Sequence, residues 1–178
     1  RLLSLLKKSA NNLLISSGLL FLLINLNLND FYNLVNLTGY TKALDVVFVI
    51  SFGKLFSMSM GCLNNIITNS KYYHYVFWFS TASAVLAVLL NIYFIQLYGI
   101  IGAAYATLIV IVLINLIKIL LVQLTFKINP FEKKTILILL AIFGVYLIFS
   151  YINFDFSPFI SIMLRSLLIG LVFTLISY

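Results

Sequence analysis

Residues 100–124, IIGAAYATLIVIVLINLIKILLVQL, hold one charged side chain, Lys118, in an otherwise apolar run. A helix needs ~20 mostly apolar residues to cross the ~30 Å hydrocarbon layer of a bilayer, and this run exceeds that length. A transmembrane strand would instead be a stretch of ~10 residues alternating apolar with polar side chains, whereas these apolar residues are continuous and rich in Leu and Ile. The stretch predicts a membrane-spanning helix. The same test, moved outward along the chain, predicts further spans at 12–34, 43–67, 73–97, 135–152 and 158–177. The predicted fold class is all-α: a polytopic bundle of about six antiparallel helices joined by short loops.

Composition agrees with lipid as the solvent. Of the 178 residues, 63% are hydrophobic and 8% charged, against roughly a quarter charged in a soluble domain. The net charge of +7 does not signal nucleic acid, because the Lys and Arg residues are single or paired between apolar runs and form no basic patch. Cys62 lies in an apolar run and has no second cysteine to pair with. The chain opens on Arg1 rather than Met and shows no signal-peptide pattern, so it is read as an excerpt of a longer protein.

Charge asymmetry predicts the orientation. With Arg1 in the cytoplasm, that side collects Arg1, Lys7, Lys8, Lys71, Lys127, Lys133 and Lys134, and the opposite loops hold only Lys42. Asp30, Asp45 and Asp155 then fall outside and Glu132 inside. Tyr72, Tyr73, Tyr75 and Trp78 mark the inner interface and Tyr98 the outer. The loops carry turn-forming residues at Gly39, Gly99, Asn129-Pro130 and Pro158. Both ends of the segment face the cytoplasm.

Three cations remain within spans. A charge near the bilayer centre costs ~2.5–3.5 kcal/mol on insertion scales, so it faces a cavity or a partner. Lys54 is close to the predicted midplane, and Ser51, Lys54, Ser57, Gly61 and Asn64 recur at helical spacing as one polar, small-residue stripe. The stripe fits a cation lining a central cavity, or one paired with another helix. Lys118 is close enough to its span end to snorkel, yet it shares a face with Thr107, Ile111 and Asn115 that could also meet the cavity. Arg165 can snorkel outward or face the interior. Asn91 is expected to hydrogen-bond a neighbouring helix, and Gly102-x-x-x-Ala106 permits close helix approach. His74 has no acid or second histidine at ligand or dyad spacing, and no phosphate-binding glycine loop occurs. Neither a metal, a cofactor nor an enzymatic role is expected.

The stretch from Asn91 through Tyr98-Gly99 to Gly102-Ala103-Ala104 and Ala106-Thr107 resembles a hallmark of the polysaccharide-biosynthesis flippases. These are the O-antigen (Wzx-like) flippases of the multidrug, oligosaccharidyl-lipid and polysaccharide exporter superfamily. The resemblance implies the last six of about fourteen helices, with a C-terminal lobe over 1–128 and a terminal helix pair over 129–178. It implies two lobes around a cavity that opens alternately inward and outward, in which cations meet the pyrophosphate and acidic sugars of an undecaprenyl-linked oligosaccharide. The partners would be that lipid-linked substrate, membrane lipids and the missing N-terminal lobe, in a bacterial inner membrane. Lys54, with Ser51, Ser57, Asn64, Asn115 and Lys118, is the candidate substrate-binding set. The rival readings are a cation-coupled drug exporter of the same superfamily, which would need intramembrane acids, and a membrane polysaccharide polymerase, which would need a sizeable extramembrane loop or a basic catalytic cluster.

Overall fold

Backbone N–H and C=O groups in hydrocarbon must pair within their own segment, which a helix achieves. In the computed structural model each long apolar run of this sequence is helical. The structure describes residues 2–35, 41–127, 131–152 and 156–177. Across these run α1 (Leu2–Leu34), α2 (Thr41–Met58), the short α3 (Leu63–Thr68), α4 (His74–Tyr98), α5 (Ile100–Phe126), α6 (Lys133–Ser150) and α7 (Pro158–Ser177). No strand occurs among the described residues. The chain is an all-α, membrane-embedded helix bundle.

Two boundaries differ from expectation. Among the described residues, five helices, α1 and α4 to α7, are long and apolar enough to cross a membrane. The expected span over 43–67 is divided instead: α2 is 18 residues long and carries Lys42, Asp45 and Lys54, and a turn at Ser59–Cys62 separates it from α3. The first helix starts at Leu2 rather than near Asn12, so Lys7 and Lys8 are helical. The predicted punctuation at Gly39, Asn129-Pro130 and Asp155, and Arg1 itself, lie outside the described residues.

Helix α1 is the hub. It packs against α2, α6 and α7, while α2 in turn packs against α5 and α5 against α4. The larger core joins Leu14, Phe21, Leu22 and Leu26 of α1 to Ile138, Ile142 and Val145 of α6 and to Ile169 and Phe173 of α7. A second core at the other end of α2 gathers Leu6, Met60, Leu63, Ile67, Ile119 and Val122. Helix α4 has no buried residue, so one face meets α5 and the rest is free to face lipid. Between α4 and α5 the chain reverses at a single residue, Gly99, with φ +62°. A Cβ on Gly102 would collide with the Phe94 carbonyl. The glycines of the Tyr98-Gly99 to Gly102 stretch are therefore required by this tight hairpin. Asn91 donates to the Ala87 carbonyl of its own helix at 2.7 Å, not to a neighbour as expected, because that carbonyl is one turn away and always within reach.

Two polar clamps fasten α1. Near its start, Lys7 Nζ lies 2.7 Å from Glu132 Oε1, and the buried Thr135 hydroxyl donates to Asn11 Oδ1 at 2.9 Å. Near its other end, Arg165 Nη1 of α7 lies 2.6 Å from Asp30 Oδ2 and donates to the Leu26 carbonyl at 2.7 Å. Arg165 Nη2 reaches the Ile152 carbonyl at 3.2 Å, and Asn27 Nδ2 donates to Ser166 Oγ at 3.0 Å. Arg165, 6% exposed, neither snorkels nor lines a cavity: it is consumed as an interhelical tie. From Lys7 to Asp30 α1 rises ~35 Å at ~1.5 Å per residue, close to the ~30 Å hydrocarbon thickness. The two ion pairs are thus about one hydrocarbon thickness apart along α1.

Removing one member of a buried ion pair leaves the other charge stranded, at ~3–5 kcal/mol. Arg165→Leu is accordingly expected to lower the thermal unfolding temperature in detergent micelles sharply, and Arg165→Leu combined with Asp30→Asn to recover much of the loss; an unchanged melting temperature for the single variant would contradict the clamp.

Candidate functional site

Lys54 is a cation within an apolar run that the described residues leave unpaired. It is exposed on α2 and makes no hydrogen bond or ion pair among the described residues. It lines a groove of about 430 Å³ between α1 and α2, shared with Ser17, Leu20, Phe21, Ile24, Ser51 and Met58. The α1 wall, from Ser17 to Ile24, lies midway between the Lys7 and Asp30 clamps. The walls are almost wholly apolar, so the groove combines a hydrocarbon-compatible trough with one positive charge.

Ser51 forms the polar edge of the same groove. Its hydroxyl accepts from Asn25 Nδ2 of α1 at 2.8 Å and donates to the Phe48 carbonyl at 3.0 Å. Asn25 also donates to the Phe21 carbonyl at 2.8 Å. The Phe21 and Phe48 rings lie 5.7 Å apart, and Phe48 and Tyr146 of α6 are equally close at 5.7 Å. These contacts fix α2 against α1, and they leave the Ser51 hydroxyl as a strut in the wall beside Lys54.

The remaining expected residues do not join this groove. Gly53, adjacent to Lys54, faces α5: a Cβ there would sit 3.2 Å from Leu108 and 3.4 Å from Ile111. Helix α5 thus covers a different side of α2, and Asn115 and Lys118 belong to α5. Asn115 is buried and Lys118 half-buried, and neither makes a hydrogen bond or ion pair among the described residues. Ser57 is half-buried one turn beyond Gly53 and does not line the groove. Asn64 is exposed on α3.

The polar stripe from Ser51 to Asn64 is therefore not one helical face. It is interrupted at Ser59–Cys62, where Met60 N–H bonds the Ser57 carbonyl at 3.3 Å and Gly61 N–H the Met58 carbonyl at 3.1 Å, a tighter winding that ends α2. Gly61 has φ +60°, and a Cβ on it would sit 2.6 Å from the backbone nitrogen of Ala10. Glycine is thus demanded twice, by conformation and by the backbone of α1 passing against the turn. Sequence reasoning also missed Asn25, Asp30 and the Asn11–Thr135 pair. Their signal was present as polar residues recurring at 11, 25, 27 and 30 within the long apolar run of α1.

Among the described residues, no three His, Cys, Asp or Glu side chains are grouped to hold a metal ion. No family model matches the chain, and neither a curated protein nor a solved structure matches it.

Gly61→Ala should destabilise the α2–α3 turn, since a strained left-handed residue costs ~1–3 kcal/mol before any clash with Ala10. The expected outcome is a lower melting temperature in micelles; a variant as stable as the parent would show that the turn is not pressed against α1.

Proposed function

We propose that this chain forms part of a flippase that moves undecaprenyl-pyrophosphate-linked oligosaccharide across the cytoplasmic membrane of a bacterium by alternating access, for surface polysaccharide export. The observation that carries this reading is Lys54: a cation without a protein partner, at mid-depth, in an otherwise apolar groove between two helices. An ammonium in such a low-dielectric setting attracts a phosphate far more strongly than in water. The apolar walls accommodate the prenyl tail, which need not leave lipid while the head group crosses. No covalent chemistry is required.

The excess of Lys at the Lys7 end of α1 supports a cytoplasmic location for that end, where such precursors are assembled. The groove has one firm and one interruptible wall. Helix α1 is tied at both ends by its clamps, whereas α2 ends at Met58, one turn beyond Lys54, at the only place in the 43–67 run where described helical winding is interrupted. The cation-coupled drug exporter is less well supported, because Asp30, the acid within the long span of α1, is committed to Arg165. For the same reason Arg165 is no substrate contact in this reading.

A hydrogen bond to a charged group contributes ~1.5–3 kcal/mol, so its loss corresponds to about tenfold or more in affinity. Lys54→Ala is expected to cut surface polysaccharide by about that factor and to make the lipid-linked precursor accumulate, with Lys54→Arg retaining export and both variants inserting normally. Parental export by Lys54→Ala would overturn the assignment.

A further inference from the structure

A second cavity, unconnected with the Lys54 groove, lies at the basic end of the bundle. Its volume is about 410 Å³, and it is lined by Lys7, Lys8, Asn11 and Asn12 of α1 and by Glu132 and Lys134 at the start of α6, with Leu3 and Ser4 at its rim. Three lysines face one carboxylate there, and that carboxylate is already engaged by Lys7 at 2.7 Å. Lys8 and Lys134 are exposed and make no ion pair among the described residues. The positive charge they bring is uncompensated.

Asn11 supplies an independent observation. It is 8% exposed, and its Oδ1 accepts from the Thr135 hydroxyl at 2.9 Å. That hydroxyl in turn accepts from the Glu132 N–H at 3.2 Å. This chain of bonds fixes the amide with its oxygen toward Thr135 and leaves Nδ2, which makes no hydrogen bond among the described residues, on a side chain that lines the cavity. At the start of α6 the Glu132 carboxylate accepts from the Thr135 N–H in a capping box, so this helix end is capped by the chain itself and adds only the positive end of its dipole. Ammonium groups and an amide donor converge on the space, and both suit phosphate oxygens.

We infer that this cavity binds the phosphate head group of an anionic phospholipid, which bridges Lys8 of α1 to Lys134 of α6. The position selects a lipid over a soluble phosphate. Helices α1 and α6 are long and apolar enough to span, from Leu3 and Lys133 onward, so a cavity lined by the first residues of both is at the head-group end of the spans, with Leu3 beside it for an acyl chain. A basic pocket between spanning helices at this depth is suited to an anionic lipid.

The test is a titration of the detergent-purified protein with short-chain phosphatidylglycerol, phosphatidylcholine and inorganic phosphate, read by thermal unfolding and by lipid retained in native mass spectrometry. Phosphatidylglycerol is expected to raise the melting temperature and to remain bound, and phosphatidylcholine to do neither. With ~1 kcal/mol for each lysine near an anionic lipid, Lys8→Ala with Lys134→Ala should weaken phosphatidylglycerol binding by roughly 30-fold, while Lys71→Ala leaves it unchanged. Lys8 and Lys134 are exposed, and the unliganded melting temperature of the double variant reports whether it is folded. Equal binding of phosphatidylcholine, undiminished binding by the double variant, or displacement of the lipid by millimolar inorganic phosphate would each overturn the proposal.

Discussion

Lipid gives apolar side chains no reason to leave it, so helices in a bilayer are held together by close packing and by polar groups that find partners across interfaces. In this chain those contacts converge on α1. At one end it is tied to α6 through Lys7–Glu132 and Asn11–Thr135, and at the other to α7 through Asp30–Arg165 and Asn27–Ser166. Between the ties, Asn25 links it to Ser51 of α2 and the Ala10 backbone receives the Gly61 turn. Every neighbour of α1 is thus registered by a polar or steric contact, and α5 and α4 follow through α2.

The groove around Lys54 is a product of that registration. Asn25 and the Phe21–Phe48 contact hold α2 to α1 above Lys54, Gly61 holds it below, and Gly53 turns the adjoining face toward α5. The lysine is left on the one side of α2 that neither neighbour closes. Contrast with Arg165 is instructive, since both residues are cations within apolar runs. Arg165 has a carboxylate and two carbonyls within reach of its planar guanidinium, and it is structural. Lys54 has none among the described residues.

Much of this was legible in the sequence, because span length and continuous hydrophobicity are local properties. The runs that became α4, α5, α6 and α7 matched to within a few residues for that reason. The division of the second run was not legible. Ser59-Met60-Gly61-Cys62 reads as a continuation of an apolar helix, and the positive φ of Gly61 follows from the backbone of Ala10, distant in sequence. The early start of α1 was missed because Lys7 and Lys8 read as flanking charges, although a helix continues readily beyond hydrocarbon when its ends are capped or paired. The fates of the three intramembrane cations needed the fold as well: Asp30 and Arg165 are separated by most of the chain. Of the six expected site residues, Ser51 and Lys54 share a groove, whereas the phase linking them to Ser57 and Asn64 was lost at the turn, and Asn115 and Lys118 lie on a helix that covers another side of α2.

The central claim is that position 54 is reached by water or ions from a groove at mid-depth. Cysteine accessibility tests it most directly, with Cys62→Ser as background. Lys54→Cys should react readily with a charged methanethiosulfonate reagent in membranes, whereas Leu140→Cys, an exposed α6 position close to the turn where Ile142 meets Gly18 near the middle of α1, should stay unlabelled in lipid. If position 54 proves as inert as position 140, the lysine faces hydrocarbon and the groove is not a site.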